Sequence, residues 1–289
     1  MRNRLILFAA AALAVLPAQI AGRQQTQAPA VKVAAPKPFS SDRISVVVQG
    51  SGRDVILIPG LTASRDMWRS TVAAVPGYRY HLVQVNGFAG HAARGNASGP
   101  VVDPVAKEIA RYIAEQRLQR PALIGHSMGG TLAMMVAARQ PQAVGKVMVV
   151  DMLPRPAGMF GGGLSLFGGI AERLAATPEG RRALGNLIGR FGADDPHKIS
   201  DSDVVARATH DLGRTDLTAE LPRIIAPMTV LFATPGADTR EHALAVEDYR
   251  HGYSGARTAR LRPIPRSGHM IIYDQPARFR AEVKQFLGG

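Results

Sequence analysis

The run Gly125-His126-Ser127-Met128-Gly129 lies between the apolar tripeptide Ala122-Leu123-Ile124 and a stretch with helical character from Met128 to about Arg139. Pro121 stops the segment before it, and Pro141 closes the helical stretch after it. A chain that passes from buried strand to helix in so few residues must turn sharply. Small residues two before and two after the apex let its backbone pass close to its neighbours. The apex is Ser127. A serine hydroxyl is a weak nucleophile that needs a nearby base and a place for oxyanion charge. The helix that starts behind it favours negative charge at that point. The spacing therefore reads as a nucleophile turn. The bland alternative is a glycine-rich turn in which Ser127 only caps the helix. His126, adjacent in the chain, is poorly directed toward the hydroxyl and reads as a structural neighbour.

Strand and helix signals alternate around this turn. Ile44 to Gln49, Asp54 to Ile58, Tyr80 to Val85, Ala122 to Ile124, Val144 to Val150, Thr229 to Ala233 and Thr258 to Ile264 read as strands. Helices are expected over Asp66 to Val75, Asp103 to about Gln119, Met128 to Arg139, Arg240 to His251 and Pro276 to Leu287. Asp103 is the expected cap of the second of these, with Pro104 at its first position. Alternation at crossover spacing implies an α/β fold: a mostly parallel central sheet with helices on both faces. From Met152 the rhythm changes. Some 65 residues carry no convincing strand, with helical signals at Pro178 to Arg190 and Ser202 to Arg214, and this stretch reads as an inserted helical cap.

The general base is expected on a loop after a late strand. His269, in Ser267-Gly268-His269-Met270, has that placement, and Gly268 frees the backbone to turn the imidazole inward. Other histidines lack it, and their spacing is not that of metal ligands. The orienting carboxylate should follow a strand and precede His269. Asp238, after Thr229 to Ala233, is the expected acid; Asp151, at the end of the strand Val144 to Val150, is its main rival. The chain order is then Ser127, Asp238, His269. The oxyanion hole calls for two backbone N–H groups, those of Met128 and of Leu61 in Pro59-Gly60-Leu61-Thr62.

With these residues in place, from about Ile44 to Leu287, the chain resembles the alpha/beta-hydrolase family, in its serine-nucleophile branch with a helical cap. Pro59 stands where members usually carry the histidine of a His-Gly pair, and Asn86 to His91 is a loose match to the loop after the next strand. The resemblance implies a hydrolase core over 42–151 and 227–289, with 152–226 as the cap. It implies cleavage of carboxylic esters through an acyl-enzyme, without metal or organic cofactor. A peptidase or amidase, or a carbon–carbon hydrolase, is the alternative, and a non-catalytic binding module the distant one. The expected substrate is a small or medium-sized apolar ester. Phe160, Leu164 and Phe167, in the apolar stretch Met159 to Ile170, are the expected pocket residues.

The ends of the chain and its charge add context. Arg2 and Arg4 precede an unbroken apolar run from Leu5 to Leu16, followed by small residues up to Ala21. This is the layout of a signal peptide over 1–21, implying a periplasmic or secreted protein, with an uncleaved membrane anchor as the alternative. Residues 22–41, rich in Ala, Pro, Gln and Lys, read as a flexible tether. The formal net charge is +13, spread along the chain without a compact basic block, so nucleic acid is not an expected partner. Peripheral contact with a membrane surface stays open. There is no cysteine, which excludes disulfides and thiolate chemistry.

Overall fold

The computed structural model describes residues 38–158, 177, 179, 180 and 199–288. Its strands are β1 (Ile44–Gly50), β2 (Arg53–Ile58), β3 (Tyr78–Val85), β4 (Ala122–His126), β5 (Lys146–Val150), β6 (Met228–Thr234) and β7 (Ala259–Pro265). They form one sheet in the order β1-β3-β2-β4-β5-β6-β7. β1 runs antiparallel to β3, with Ile44 opposite Val85, and every other neighbouring pair is parallel. The near-continuous apolar character of β2, β4 and β5 has its cause here. Val55, Leu57, Ile124, Met148 and Val150 are buried on one face, while Ile56, Ile58, Leu123, Val147 and Val149 are buried on the other. Side chains alternate between faces, and both faces are covered, so every position is selected to be apolar.

The helices are α1 (Arg69–Ala74), α2 (Val102–Glu115), α3 (Met128–Arg139), α4 (Ser202–Arg214), α5 (Arg240–Gly252), α6 (Ile271–Asp274) and α7 (Pro276–Gly288). α2, α3 and α4 contribute Ile109, Leu132 and Val205 to one core. α7 contributes Phe279 and Val283 to the other, where Phe279 lies 6.3 Å from the fully buried Trp68. The mostly parallel sheet, its helices on both faces and the helical insertion between β5 and β6 all agree with the expected fold class. The expected helix over 178–190 lies outside the described residues.

α2 differs from expectation at both ends. It starts at Val102, and Val101 before it has no capping side chain. The cap comes from α4, 109 residues later: Asp211 Oδ2 accepts from the Val101 amide at 2.6 Å and from the Val102 amide at 3.1 Å. Asp103 instead pairs with Lys107 at 2.7 Å and Arg139 at 2.5 Å. The helix ends at Glu115 because Arg117 turns to φ 52 and the Leu118 amide returns to the Ile113 carbonyl at 3.0 Å, which buries Leu118. At the start of the described chain, Phe39 packs edge-on against Tyr112 at 4.9 Å, so tertiary contacts begin before residue 42.

α4 is seated on the loop after β3. Its cap, Asp201, accepts from the Asp203 and Val204 amides and donates its own amide to the Gly87 carbonyl at 2.7 Å. Gly87 has φ +94, and a Cβ there would stand 2.7 Å from the Val204 side chain, so only glycine fits.

The expectation of an exported location, with an uncleaved anchor as its alternative, is corrected here. Among the described residues no helix is long and apolar enough to cross a membrane. Residues 1–21, on which that expectation stood, lie outside the described residues.

Asp211→Ala is expected to lower unfolding stability by about 1–2 kcal/mol, because two amides at the start of a packed helix lose their shared acceptor. Asp103→Ala should cost less, since its ion pairs are partly exposed. Urea unfolding of both variants checks the order.

Candidate active site

Ser127 sits directly after β4 with φ 52 and ψ −124, a region that non-glycine residues rarely occupy. The surrounding contacts hold it there. Its amide donates to the Val150 carbonyl at 2.8 Å, and its carbonyl accepts from the Gly130 amide at 2.7 Å. A Cβ on Gly125 would lie 2.1 Å from the Gly129 carbonyl oxygen, and one on Gly129 would lie 2.2 Å from the Ile58 carbonyl oxygen. The two flanking glycines are therefore demanded by backbone-to-backbone contact. The Ser127 side chain makes no capping bond to α3. Its geometry is that of a strained strand-to-helix turn and not that of a capping side chain.

His269 follows β7, and its Nδ1 lies 2.7 Å from Asp151 Oδ2. A carboxylate offers only acceptors, so Nδ1 carries the proton and Nε2 keeps the lone pair a base requires. Asp151 directly follows β5, at φ 51, and is buried. Its amide donates to the Leu231 carbonyl at 2.8 Å, and its Oδ1 accepts from the Ala233 amide at 2.8 Å. The side chain thus continues the β5–β6 ladder by one rung past the end of the strand. Tyr249 of α5 donates its hydroxyl to the same Oδ1 at 3.1 Å.

Asp238, the expected acid, is not brought to His269. It is exposed, four residues past the end of β6 and just before Thr239, which caps α5. The end of β6 is occupied otherwise: the Thr234 carbonyl accepts from the Ser267 amide at 3.2 Å, and its Oγ1 meets His242 Nδ1 at 3.0 Å. The carboxylate at the imidazole is the rival, Asp151. The sequence signal for it was its place immediately after an apolar strand, and the register with β6 that aims it was not visible.

His126 is buried, its ring 4.8 Å from that of His269. Its Nε2 donates to the His269 carbonyl at 3.0 Å, tying the backbone of His269 to the end of β4, directly before Ser127. Burial, and then the neighbouring His269, push its pKa down from 6.5 to about 4, so it is neutral near pH 7.

The loop with Leu61 passes beside Ser127. A Cβ on Gly60 would be 2.9 Å from His126 Nδ1 and 3.2 Å from Ser127 Cβ. Met128 is the first residue of α3, where an N–H has no acceptor within its own helix. Gln84, buried in β3, holds this loop: its Oε1 accepts from the Arg65 amide at 2.9 Å, and its Nε2 donates toward the Ala63, Val85 and Phe88 carbonyls. Ser200, ahead of α4, accepts from the Ala89 amide at 2.9 Å and donates to the Thr62 carbonyl at 3.3 Å. Sequence reasoning missed Gln84, Ser200 and Tyr249. Only Gln84 left a signal, as a lone polar residue within Leu82-Val83-Gln84-Val85. Phe160, Leu164 and Phe167 lie outside the described residues. Among the described residues, no three His, Asp or Glu side chains are grouped as metal ligands.

The sequence profile of the alpha/beta hydrolase family matches residues 55–282. The chain belongs to the alpha/beta hydrolase family. This hydrolase is similar over 101 residues, at 35% identity, to a Haemophilus influenzae protein carrying an esterase/lipase designation; the match covers 35% of this chain and 32% of that protein. It is 26% identical over 212 residues to the pimeloyl-[acyl-carrier protein] methyl ester esterase of Vibrio atlanticus, covering 66% of this chain and 80% of the relative. Among solved structures, an esterase from Thermogutta terrifontis superposes with a TM-score of 0.64 at 20% identity, over 84% of this chain and 92% of the other. That likeness concerns the fold.

The hydrolase should lose stability in acid through His126. The unfolded imidazole binds its proton as pH falls through about 6.5, and the folded one only near 4. The contribution is therefore complete above pH 6.5 and lost progressively toward pH 4, by up to about 3 kcal/mol. Urea midpoints between pH 7.5 and 4.5 should fall less steeply in His126→Gln than in the wild type. Equal slopes would remove His126 as the cause.

Proposed function

We propose that this hydrolase cleaves small, apolar carboxylic esters through an acyl-enzyme on Ser127. His269 is the general base, Asp151 the carboxylate that orients it, and the Leu61 and Met128 amides the oxyanion donors. The observation that carries the reading is the 2.7 Å contact between His269 and the buried Asp151, with His269 held at 3.0 Å by His126, the chain neighbour of a serine at positive φ. In this reading the core comprises 42–151 and 227–289, and the insertion 152–226 is the cap over the substrate.

The chemistry follows from the groups present. Ser127 Oγ attacks the ester carbonyl carbon as its proton passes to His269 Nε2. The carbonyl oxygen becomes an oxyanion that accepts from the two amides, which are aimed where charge develops. The tetrahedral species collapses, the C–O bond to the alcohol breaks, and His269 returns the proton to the departing alkoxide. Water then attacks the acyl-enzyme, giving its proton to His269, and Ser127 recovers it as the carboxylic acid leaves. Asp151 keeps the imidazole in its Nδ1-protonated form and stabilises the imidazolium in both halves of the cycle. The esterase names of the relatives favour an oxygen ester as the substrate.

Short p-nitrophenyl esters are the test substrates. Ser127→Ala should reduce kcat/KM by about 10⁴-fold or more, and should abolish labelling by a fluorophosphonate. Asp151→Asn should cost about 10³- to 10⁴-fold, while Asp238→Asn should stay within about twofold of wild type. Turnover retained in Ser127→Ala, or a larger loss at Asp238 than at Asp151, overturns the assignment.

A further inference from the structure

Asp151 follows β5 and His269 follows β7, and β6 lies between those strands. The carboxylate must therefore reach over the end of β6 to meet the imidazole, and its orientation depends on what grips its other oxygen. Two donors do so. One is the Ala233 amide at 2.8 Å, a backbone group of β6 itself. The other is the Tyr249 hydroxyl at 3.1 Å, carried by α5. Tyr249 is fixed in turn: its ring stacks on Phe232 at 4.2 Å and 14°, and on Tyr253 at 6.2 Å and 12°. Tyr253 donates its own hydroxyl to the Met152 carbonyl at 2.6 Å. α5 and the residue that ends it thus hold the side chain of one residue and the backbone of the next with two buried phenols.

We propose that Tyr249 is a positioning residue for the base, setting the rotamer and the basicity of Asp151 and, through it, the protonation of His269. The inference rests on the serine-hydrolase reading above. Burial, reinforced by the Asp151 carboxylate, holds the Tyr249 phenol well above its ordinary range, so it remains a donor. A donor on Oδ1 draws charge away from Oδ2 and weakens the attraction of the carboxylate for an imidazolium. Removing it should make His269 easier to protonate. The other titratable groups facing the pair are His126 from β4, neutral near pH 7, and Tyr253 just after α5, whose phenol burial also holds well above its range. Asp274, from α6, is engaged by the Gly268 amide at 2.8 Å.

The experiment compares wild type, Tyr249→Phe and Tyr253→Phe. The readouts are the rate of Ser127 labelling by a fluorophosphonate from pH 5 to 9, kcat/KM on a short p-nitrophenyl ester, and Tm. Phenylalanine keeps the ring stack, so Tyr249→Phe should fold. Its labelling rate at pH 7 should fall about tenfold, with the acid limb moved to higher pH by about half a unit. Tyr253→Phe should leave that limb in place. An unmoved limb in Tyr249→Phe overturns the proposal, whether its labelling rate stays within about twofold of wild type or falls together with Tm as in Tyr253→Phe. Wild-type protein that labels at Ser127 but turns over no ester would overturn the substrate reading alone, and the labelling comparison would still decide the role of Tyr249.

Discussion

Backbone meets backbone where α3 begins. Gly125 at the end of β4 lies against the carbonyl of Gly129 one turn later, and Gly129 lies against the carbonyl of Ile58 at the end of β2. No side chain of any size fits at either point. This contact compresses the passage from strand to helix and forces Ser127 into a left-handed conformation at its apex. It also brings the first turn of α3 beside the loop after β2, where Gly60 lies close to Ser127. The strain at Ser127 is offset by the hydrogen bonds that anchor its amide to β5 and its carbonyl to α3.

A second constraint, polar groups completing an unfinished ladder, places Asp151. β5 ends at Val150, yet the Asp151 amide still bonds to β6, and its side chain takes the next amide of that strand. The carboxylate is held there by a backbone amide of the sheet itself. Its second oxygen is left directed at His269. From the other side, His126 holds the carbonyl of the same histidine. His269 is thereby fixed through both its ring, by Asp151 just past β5, and its backbone, by His126 of β4.

Around this centre the loops are joined to one another by buried polar groups. Gln84 links the loop after β2 to the loop after β3, and Ser200 links both to the start of α4. Asp211 then caps α2 from α4. The helical insertion is connected to the core through specific acceptors as well as through apolar packing. Each of these groups would cost stability if left buried and unpaired, which makes the arrangement hard to alter piecemeal.

Much of the architecture was legible without coordinates. Strand and helix alternation, the apolar runs of β2, β4 and β5, the nucleophile turn and the loop of His269 are local patterns, set by periodicity, by glycine and by proline. For that reason the sharp turn at Ser127, the loop that carries His269 and the mostly parallel sheet could be read directly. The choice between Asp151 and Asp238 could not, because both are carboxylates that follow strands. What separates them is strand order and register, which put the β6 amide of Ala233 next to Asp151 and leave Asp238 exposed beyond the strand. The cap of α2 escaped for the same reason, its donor and acceptor being 109 residues apart. The linear chain determined which residues can do chemistry and where it must turn. Only the tertiary structure decided which of them meet, because hydrogen bonds between distant segments depend on a register that no local pattern encodes.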